Sequence, residues 1–147
     1  MHTVERSVLV PYSCAQMFDL VADVDKYPDF LPWCGGSAVH SQDENGMQAS
    51  VTISIARIKQ TFTTRNTHDY PTNLKVDLVD GPFSALQGNW DFQELGPDAC
   101  KIVYTMKYEF SSRALEAIVG PVFNRIATSF IDSFTKRAKD VYGNGAA

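Results

Sequence analysis

The chain has 147 residues, of which 44% are hydrophobic and 20% are charged, and its formal net charge is −4. This length fits one globular domain, and the composition is that of an ordinary globular protein. The acidic balance argues against a general nucleic-acid binder. No run approaches the ~18 consecutive apolar residues of a membrane span, and the first residues lead into a strand rather than a signal peptide. We therefore expect one cytoplasmic domain over residues 1–147, with a core over about residues 3–142 and no transmembrane segment.

The cysteines and histidines are too scattered to indicate a metal site. Cys14, Cys34 and Cys100 are odd in number, and their spacing matches neither a zinc site nor a disulfide framework. We predict reduced, mostly buried thiols and no metal ion. The sequence also lacks the common motifs of metalloproteases, nucleotide-binding proteins and serine hydrolases, so these functions lose their usual support.

The first elements in chain order are a strand and two short helices. Residues 3–10 predict the strand, and Ser13 with Gln16 forms the S-x-x-Q pattern of a helix capping box. Pro28 and Pro32 then limit a second helix to about one turn. The first helix has an apolar face at helical spacing, made of Met17, Leu20, Val21 and Val24.

The connection from residue 21 to residue 34, here called the roof segment, is too apolar for an ordinary solvated loop. It contains Tyr27, Phe30 and Trp33 as well as two prolines. We predict that it covers an apolar site and that Phe83, in the loop of residues 81–84, faces it as a second gate. The alternatives remain open at this stage: these aromatic residues either pack on one another or contact a ligand, a membrane or a protein.

The middle of the chain alternates apolar and polar residues with the period of a strand. Residues 47–55 show this most clearly, and Asn45-Gly46 before them predicts a hairpin. Further strands are predicted from about residue 37, at 59–67, at 74–79, around 86–92 and at 100–110. Together with residues 3–10 they make about seven antiparallel strands.

The last element is predicted to be a helix from Arg113 to about Tyr142. At ~1.5 Å per residue, about 28 residues span ~42 Å, enough to cross an entire sheet. Pro121 predicts a bend or a division into two parts. We therefore expect an α+β helix-grip architecture, in which a strongly curved antiparallel sheet surrounds this helix. Its predicted apolar stripe is Leu115, Ile118, Val119, Val122, Ile126, Phe130, Phe134 and Val141.

A sheet curved around one helix leaves space beneath the short helices, and we predict an apolar ligand cavity there. Arg65 is the candidate polar anchor for such a ligand. It alternates in step with Thr61 and Thr63 rather than with Phe62, however, which predicts that its side chain points to solvent. Each predicted lining residue equally suits plain core packing. The predicted lining set is Tyr27, Phe30, Trp33, Phe83, Trp90, Phe92, Tyr104, Met106, Tyr108, Phe123 and Phe130.

The basic excess of the chain belongs to its last segment. Residues 1–112 hold 8 Lys and Arg against 14 Asp and Glu, whereas residues 113–147 hold 5 against 3. These cations form a candidate RNA-binding face, since phosphate neutralisation supplies most of the affinity for RNA. The alternative is the solvated side of an amphipathic helix, with cations near its negative end. The cations are Arg113, Arg125, Lys136, Arg137 and Lys139.

Five separated blocks of the chain are similar, in the same order, to RatA-type ribosome association toxins. They are VLVPYS at 8–13, DVDKYPDFLPWC at 23–34, KQTFTTRN at 59–66, LVDGPF at 78–83 and FTKRAKDVY at 134–142. These toxins are relatives of the mitochondrial coenzyme Q-binding proteins in the START-like, polyketide cyclase-like superfamily. The resemblance covers about residues 3–142 and implies a START-like helix-grip domain with a hydrophobic cavity.

The resemblance implies two alternative functions. One branch of the family binds polyprenyl quinones such as ubiquinone and supports respiration. The other binds the large ribosomal subunit and blocks its joining to the small one, and with it translation initiation. We expect hydrophobic-ligand binding first and ribosome association as the alternative, with no cofactor beyond a bound quinone or other lipid.

Neither enzymatic activity nor a mitochondrial location is expected from this resemblance. The cyclase and dehydrase labels of the superfamily come from a few enzymes, so we expect no such activity here. The sequence has no basic, Ser-rich presequence like that of the mitochondrial members. This favours a bacterial cytoplasmic protein, with transient contact to the inner membrane surface as a further alternative.

Overall fold

The computed structural model of the protein describes residues 1–55 and 57–143. Residue 56 and residues 144–147, which the predicted domain includes, lie outside the described residues. The helices are α1 (Cys14–Ala22), α2 (Tyr27–Phe30) and α3 (Arg113–Tyr142), with a 3-10 turn at Val24–Lys26. The strands of the described residues are β1 (His2–Val10), β2 (Cys34–Asp43), β3 (Gly46–Ile55), β4 (Ile58–Asp69), β5 (Asn73–Asp80), β6 (Phe83–Gly96) and β7 (Ala99–Phe110).

The strands of the described chain form one antiparallel sheet in the order β1-β7-β6-β5-β4-β3-β2. Strands β2 to β7 follow one another as successive hairpins, and β1 pairs with β7, where Val8 lies opposite Ile102. The sheet curves around α3, while α1 and α2 lie between β1 and β2 in the chain. The predicted helix-grip architecture is confirmed.

Helix α1 begins where its capping box predicts. The Ser13 hydroxyl accepts a hydrogen bond from the Gln16 backbone N–H at 3.1 Å, and the Gln16 side chain accepts one from the Ser13 N–H at 2.9 Å. These two bonds satisfy donors that the first turn of a helix otherwise leaves unpaired. All three cysteines are buried, as predicted, and Cys14 Sγ lies 3.3 Å from Cys100 Sγ.

Helix α3 crosses the inner face of the sheet and runs without a break through Pro121, so of the two predicted alternatives, a bend or a division, the division into two parts is wrong. Its length and composition would also suit a membrane span, but here its inner side forms part of the core. Two residues of the predicted stripe are not buried, since Ile118 is 63% exposed and Val141 is 48% exposed. The buried residues of α3 are Val119, Phe123, Ile126, Ala127, Ile131, Phe134 and Ala138.

Gly46 is the first residue of β3 and belongs to the predicted hairpin turn. Its φ is +149°, and a Cβ added there would overlap the backbone carbonyl oxygen of Asn66. Because both the backbone conformation and the close approach favour glycine, we expect Gly46→Ala to lower the free energy of unfolding by at least ~2 kcal/mol, measured by urea denaturation. Gly36→Ala is the control, since no atom lies within 4 Å of the added Cβ. Equal losses in the two variants would contradict this role of Gly46.

Candidate ligand-binding site

A small cavity of about 60 Å³ lies among the sheet, α3 and the roof segment. None of the described side chains that line it carries a formal charge, and most are aliphatic or aromatic. Such an apolar lining with few polar groups is typical of sites for small hydrophobic ligands. The lining residues are Val24, Tyr27, Trp33, Ala49, Val51, Phe62, Thr64, Asn66, Val76, Leu86, Gly88, Trp90, Met106, Phe130 and Phe134.

The cavity exists partly because a glycine occupies an inward position of β6. Gly88 lies between Val76 of β5 and Met106 of β7 in the pairing register. A Cβ at Gly88 would lie 3.3 Å from Val76 Cβ and 3.8 Å from Met106 Cε. The position is therefore closely approached by Val76, and glycine allows this close approach while placing no side chain of its own in the cavity.

Two polar residues are buried in the cavity wall. Thr64 and Asn66 point inward from β4, and each is only 6% exposed. The Thr64 hydroxyl donates a hydrogen bond to Asn66 Oδ1 at 2.8 Å. This bond orients the Asn66 amide, and no described residue accepts a hydrogen bond from its nitrogen.

Trp33 contributes a further polar group to the same cavity. It is 6% exposed, and its indole Nε1 is buried without a hydrogen-bond partner among the described residues. The Trp33 ring packs against Phe130 of α3, with ring centroids 5.5 Å apart. An unpaired buried N–H group is costly, because it has lost its hydrogen bonds to water.

The roof segment is held on α3 by aromatic contacts. The rings of Tyr27 and Phe30 lie 5.5 Å and 5.4 Å from the ring of Phe134, and the Arg137 guanidinium lies 5.0 Å from the centroid of Phe30. The Tyr27 hydroxyl donates a hydrogen bond to the Val21 carbonyl. Burial raises the pKa of the Tyr27 phenol well above its usual value, so the hydroxyl stays protonated.

The structure divides the predicted lining residues into two groups. Tyr27, Trp33, Trp90, Met106 and Phe130 line the cavity. The others lie next to it rather than in its wall: Phe30 is on the roof, Phe92 and Tyr104 pack against Trp90, and Phe83, Tyr108 and Phe123 form a separate aromatic cluster.

The prediction that Phe83 is a second gate is wrong. Phe83 is 5% exposed, and its ring lies 4.9 Å from that of Phe123 and 5.0 Å from that of Phe110. It is the first residue of β6 and points to the inner face, where it belongs to the core. Phe62, which lines the cavity, separates this cluster from the cavity space.

Arg65 does not reach the cavity, so its prediction as a polar anchor is also wrong. It lies on the outer face of β4, and its Nη2 is 3.4 Å from the Asp43 carboxylate. Side chains of a strand alternate between faces, so the residues on either side of Arg65 point inward instead. Phe62, Thr64 and Asn66 are alternate residues of β4 and point to the same face. This alternation could have identified Thr64 and Asn66 as lining residues from the sequence.

Other residues missed by the sequence analysis are small or come from distant strands. Ala49, Val51, Val76 and Gly88 carry no chemical signal in the sequence. Pairing of β3, β4, β5 and β6 brings them to one wall. Only the strand register could have identified them.

The cations of α3 do not form one uniform face. Arg113, Arg125, Lys136 and Lys139 are exposed, whereas Arg137 is partly buried over Phe30. At ~100° per residue, Arg125, Lys136 and Lys139 lie within about 60° of one another on the helix surface. The exposed residues Asp132 and Asp140 lie on the same side and reduce its positive charge.

A larger depression of about 420 Å³ lies on the outer face of the sheet. It is a broad, open groove with a polar and charged lining, so its size alone does not make it the better site for an apolar ligand. Its lining residues are Lys75, Asp77, Gln87, Gly88, Asn89, Thr105 and Lys107.

Curated proteins resemble the chain over almost its entire length. The ribosome association toxin RatA of Vibrio cholerae is 47% identical over 97% of this chain and 99% of its own. The RatA protein of Pseudomonas aeruginosa is 40% identical over 95% of this chain and 97% of its own. A more distant relative is the coenzyme Q-binding protein COQ10 homolog B of Xenopus laevis, which is 26% identical over 93% of this chain and 58% of its own.

Solved structures show the same fold. A START superfamily protein from Mycobacterium smegmatis matches with a TM-score of 0.80 and 18% identity over 96% of this chain and 99% of its own. An 18 kDa protein from Caulobacter crescentus matches with a TM-score of 0.74 and 30% identity over 97% of this chain and 99% of its own.

The family described as polyketide cyclase/dehydrase and lipid transport matches residues 10–135. This match agrees with the helix-grip sheet, the apolar cavity and the full-length relatives. The chain therefore belongs to the polyketide cyclase/dehydrase and lipid-transport family, and within it to the group of the RatA-type proteins.

Proposed function

We propose that the protein binds a polyprenyl quinone, such as ubiquinone, and supports respiration without acting as an enzyme. The observation that carries this proposal is the uncharged, largely aromatic cavity beneath the roof segment. The coenzyme Q-binding name of the Xenopus relative supports the same ligand class. The described lining residues supply no carboxylate, imidazole or amine for acid–base chemistry, which favours binding over a cyclase or dehydrase reaction.

The present cavity is too small for a whole quinone, so binding requires the roof segment to move. Its volume of about 60 Å³ is well below the ~300 Å³ at which ligand sites begin. Helix α2 has only four residues and none of them is fully buried. Displacing α2 would open the cavity without unfolding the sheet or α3. The polyprenyl tail would extend out of the cavity through the same opening.

We place this function in the bacterial cytoplasm, with transient contact to the inner membrane. A polyprenyl quinone resides in the bilayer because of its apolar tail, so a protein that binds it must meet the membrane surface. The bacterial sources of the RatA relatives support this location.

Filling the cavity should weaken quinone binding. Ala49 is 2% exposed and lines the cavity, so Ala49→Leu would occupy the ligand space. We expect decylubiquinone affinity to fall about tenfold or more, since the ligand would have to share its space with the leucine side chain, and such overpacking costs ~1–3 kcal/mol. Tryptophan fluorescence titration would measure this affinity. Gln48→Leu, which adds a similar side chain on the outer face of β3, is the control. Wild-type affinity in Ala49→Leu would contradict the site.

Loosening the roof segment should be measurable without a ligand. Arg137→Gln removes the cation above Phe30, a contact worth ~0.5–1 kcal/mol at such sites. We expect severalfold faster amide hydrogen exchange in residues 24–31, measured by mass spectrometry. Lys136→Gln, one residue away and exposed, is the control. Unchanged exchange in Arg137→Gln would show that this cation does not hold the roof segment.

Ribosome association is the second candidate function. The specific observation in its favour is the name shared by relatives that are 40–47% identical over nearly the whole chain. In this proposal the protein binds the large ribosomal subunit and blocks subunit joining. The exposed cations Arg125, Lys136 and Lys139 would contact RNA phosphates, while Arg137 remains part of the roof.

Charge reversal on α3 tests the second candidate. We expect the triple variant Arg125→Glu, Lys136→Glu, Lys139→Glu to lose cosedimentation with large ribosomal subunits. Binding of the wild type should weaken as salt rises from about 50 to 200 mM, because phosphate contacts release counterions. The pair Lys75→Glu, Lys107→Glu on the outer sheet face is the control. If the pair variant loses binding and the triple variant retains it, the ribosome-binding surface lies on the outer face of the sheet and not on α3.

A further inference from the structure

Two residues of the cavity lining carry hydrogen-bond donors that have no partner among the described residues. The Trp33 indole N–H is buried and has no partner among the described residues. The Asn66 amide oxygen accepts a hydrogen bond from the Thr64 hydroxyl, whereas the amide nitrogen donates to no described residue. Both residues are more than nine-tenths buried and both line the cavity.

These donors come from different elements of the cavity wall. Trp33 belongs to the roof segment and packs on Phe130 of α3, whereas Asn66 extends from β4 of the sheet. A ligand that contacts both elements could accept one hydrogen bond from each. A quinone ring carries one carbonyl oxygen on each of two opposite sides, and a carbonyl oxygen only accepts hydrogen bonds.

The acceptors that the same wall offers to a ligand hydroxyl group are neutral. The Thr64 hydroxyl donates to Asn66 and the Tyr27 hydroxyl donates to the Val21 carbonyl, so each oxygen can still accept a hydrogen bond. The cavity wall contributes no carboxylate side chain, which would be a stronger acceptor. A quinol oxygen can accept from the two N–H donors, but each of its own two hydroxyl groups would exchange water for one of these neutral acceptors or for none.

We propose that Trp33 and Asn66 bind the carbonyl oxygens of an oxidised quinone, and that the cavity therefore prefers the quinone to the quinol. This inference rests on the proposed quinone-binding function and adds the redox state of its ligand. The two residues are specificity determinants: the apolar lining provides affinity for any ring with an apolar tail, and the two donors select the ring that carries acceptors.

The test compares three probes on the same purified protein: decylubiquinone, decylubiquinol under anaerobic conditions, and decylbenzene, which has no polar group. We expect the wild type to bind the quinol about tenfold more weakly than the quinone, the factor typical of an unpaired hydrogen-bonding group. Trp33→Phe and Asn66→Leu should each weaken quinone binding by a similar factor and weaken decylbenzene binding much less.

The outcomes separate this inference from the function on which it rests. If all three probes bind wild type equally, the redox preference is wrong and the hydrophobic-ligand function stands. If none of them binds, the proposed function itself is wrong. If a variant weakens decylbenzene as much as quinone, that residue only supports packing and is not a specificity determinant. The comparison of quinone with quinol binding uses only the wild type, so it tests the redox preference even if Asn66→Leu fails to fold.

Discussion

The packing of the aromatic side of α3 into the curved sheet is the contact on which the rest of the molecule depends. Phe123 contacts Phe62 and Phe83 near the start of the helix. About two and three turns further on, the rings of Phe130 and Phe134 lie against those of Trp33, Tyr104, Trp90 and Tyr27. Burying each such side chain contributes about 1.5–3 kcal/mol. With 30 residues, α3 is the only described helix long enough to cover the sheet.

The cavity is the part of this interface that remains unfilled. Gly88 contributes no side chain to the cavity from the inner face of the sheet, and the roof segment lines the cavity through Tyr27 and Trp33. Elsewhere the interface is packed by aromatic rings, as around Phe83. A core of this kind is rigid where it is dense, so movement is expected at the short helix α2 rather than in the sheet.

The two proposed functions use different sides of the same helix. The inner side of α3 forms part of the cavity wall, whereas its outer side carries exposed cations mixed with Asp132 and Asp140. Ligand binding and ribosome association are therefore compatible in one molecule. Arg137 lies at the border between these sides, since it belongs to the basic segment and its guanidinium covers Phe30 of the roof segment.

Local patterns in the sequence predicted the elements well because each pattern reflects local geometry. The capping box of Ser13 and Gln16 placed the start of α1, and alternation at residues 47–55 placed β3. Helical spacing was less reliable at the edges of a stripe. Ile118 and Val141 continue the apolar pattern but remain exposed, because the extent of the sheet decides which residues of the helix are covered.

By itself, the sequence determined the order of the elements, the helix-grip class, the family and the aromatic character of the roof segment. The tertiary structure alone decided which residues meet. Strand register brought Thr64, Asn66, Val76 and Gly88 to one wall, and it turned Phe83 into the core and Arg65 toward Asp43. The physical reason is that a cavity is a gap between side chains from distant elements, and such gaps depend on pairing and packing rather than on any local pattern.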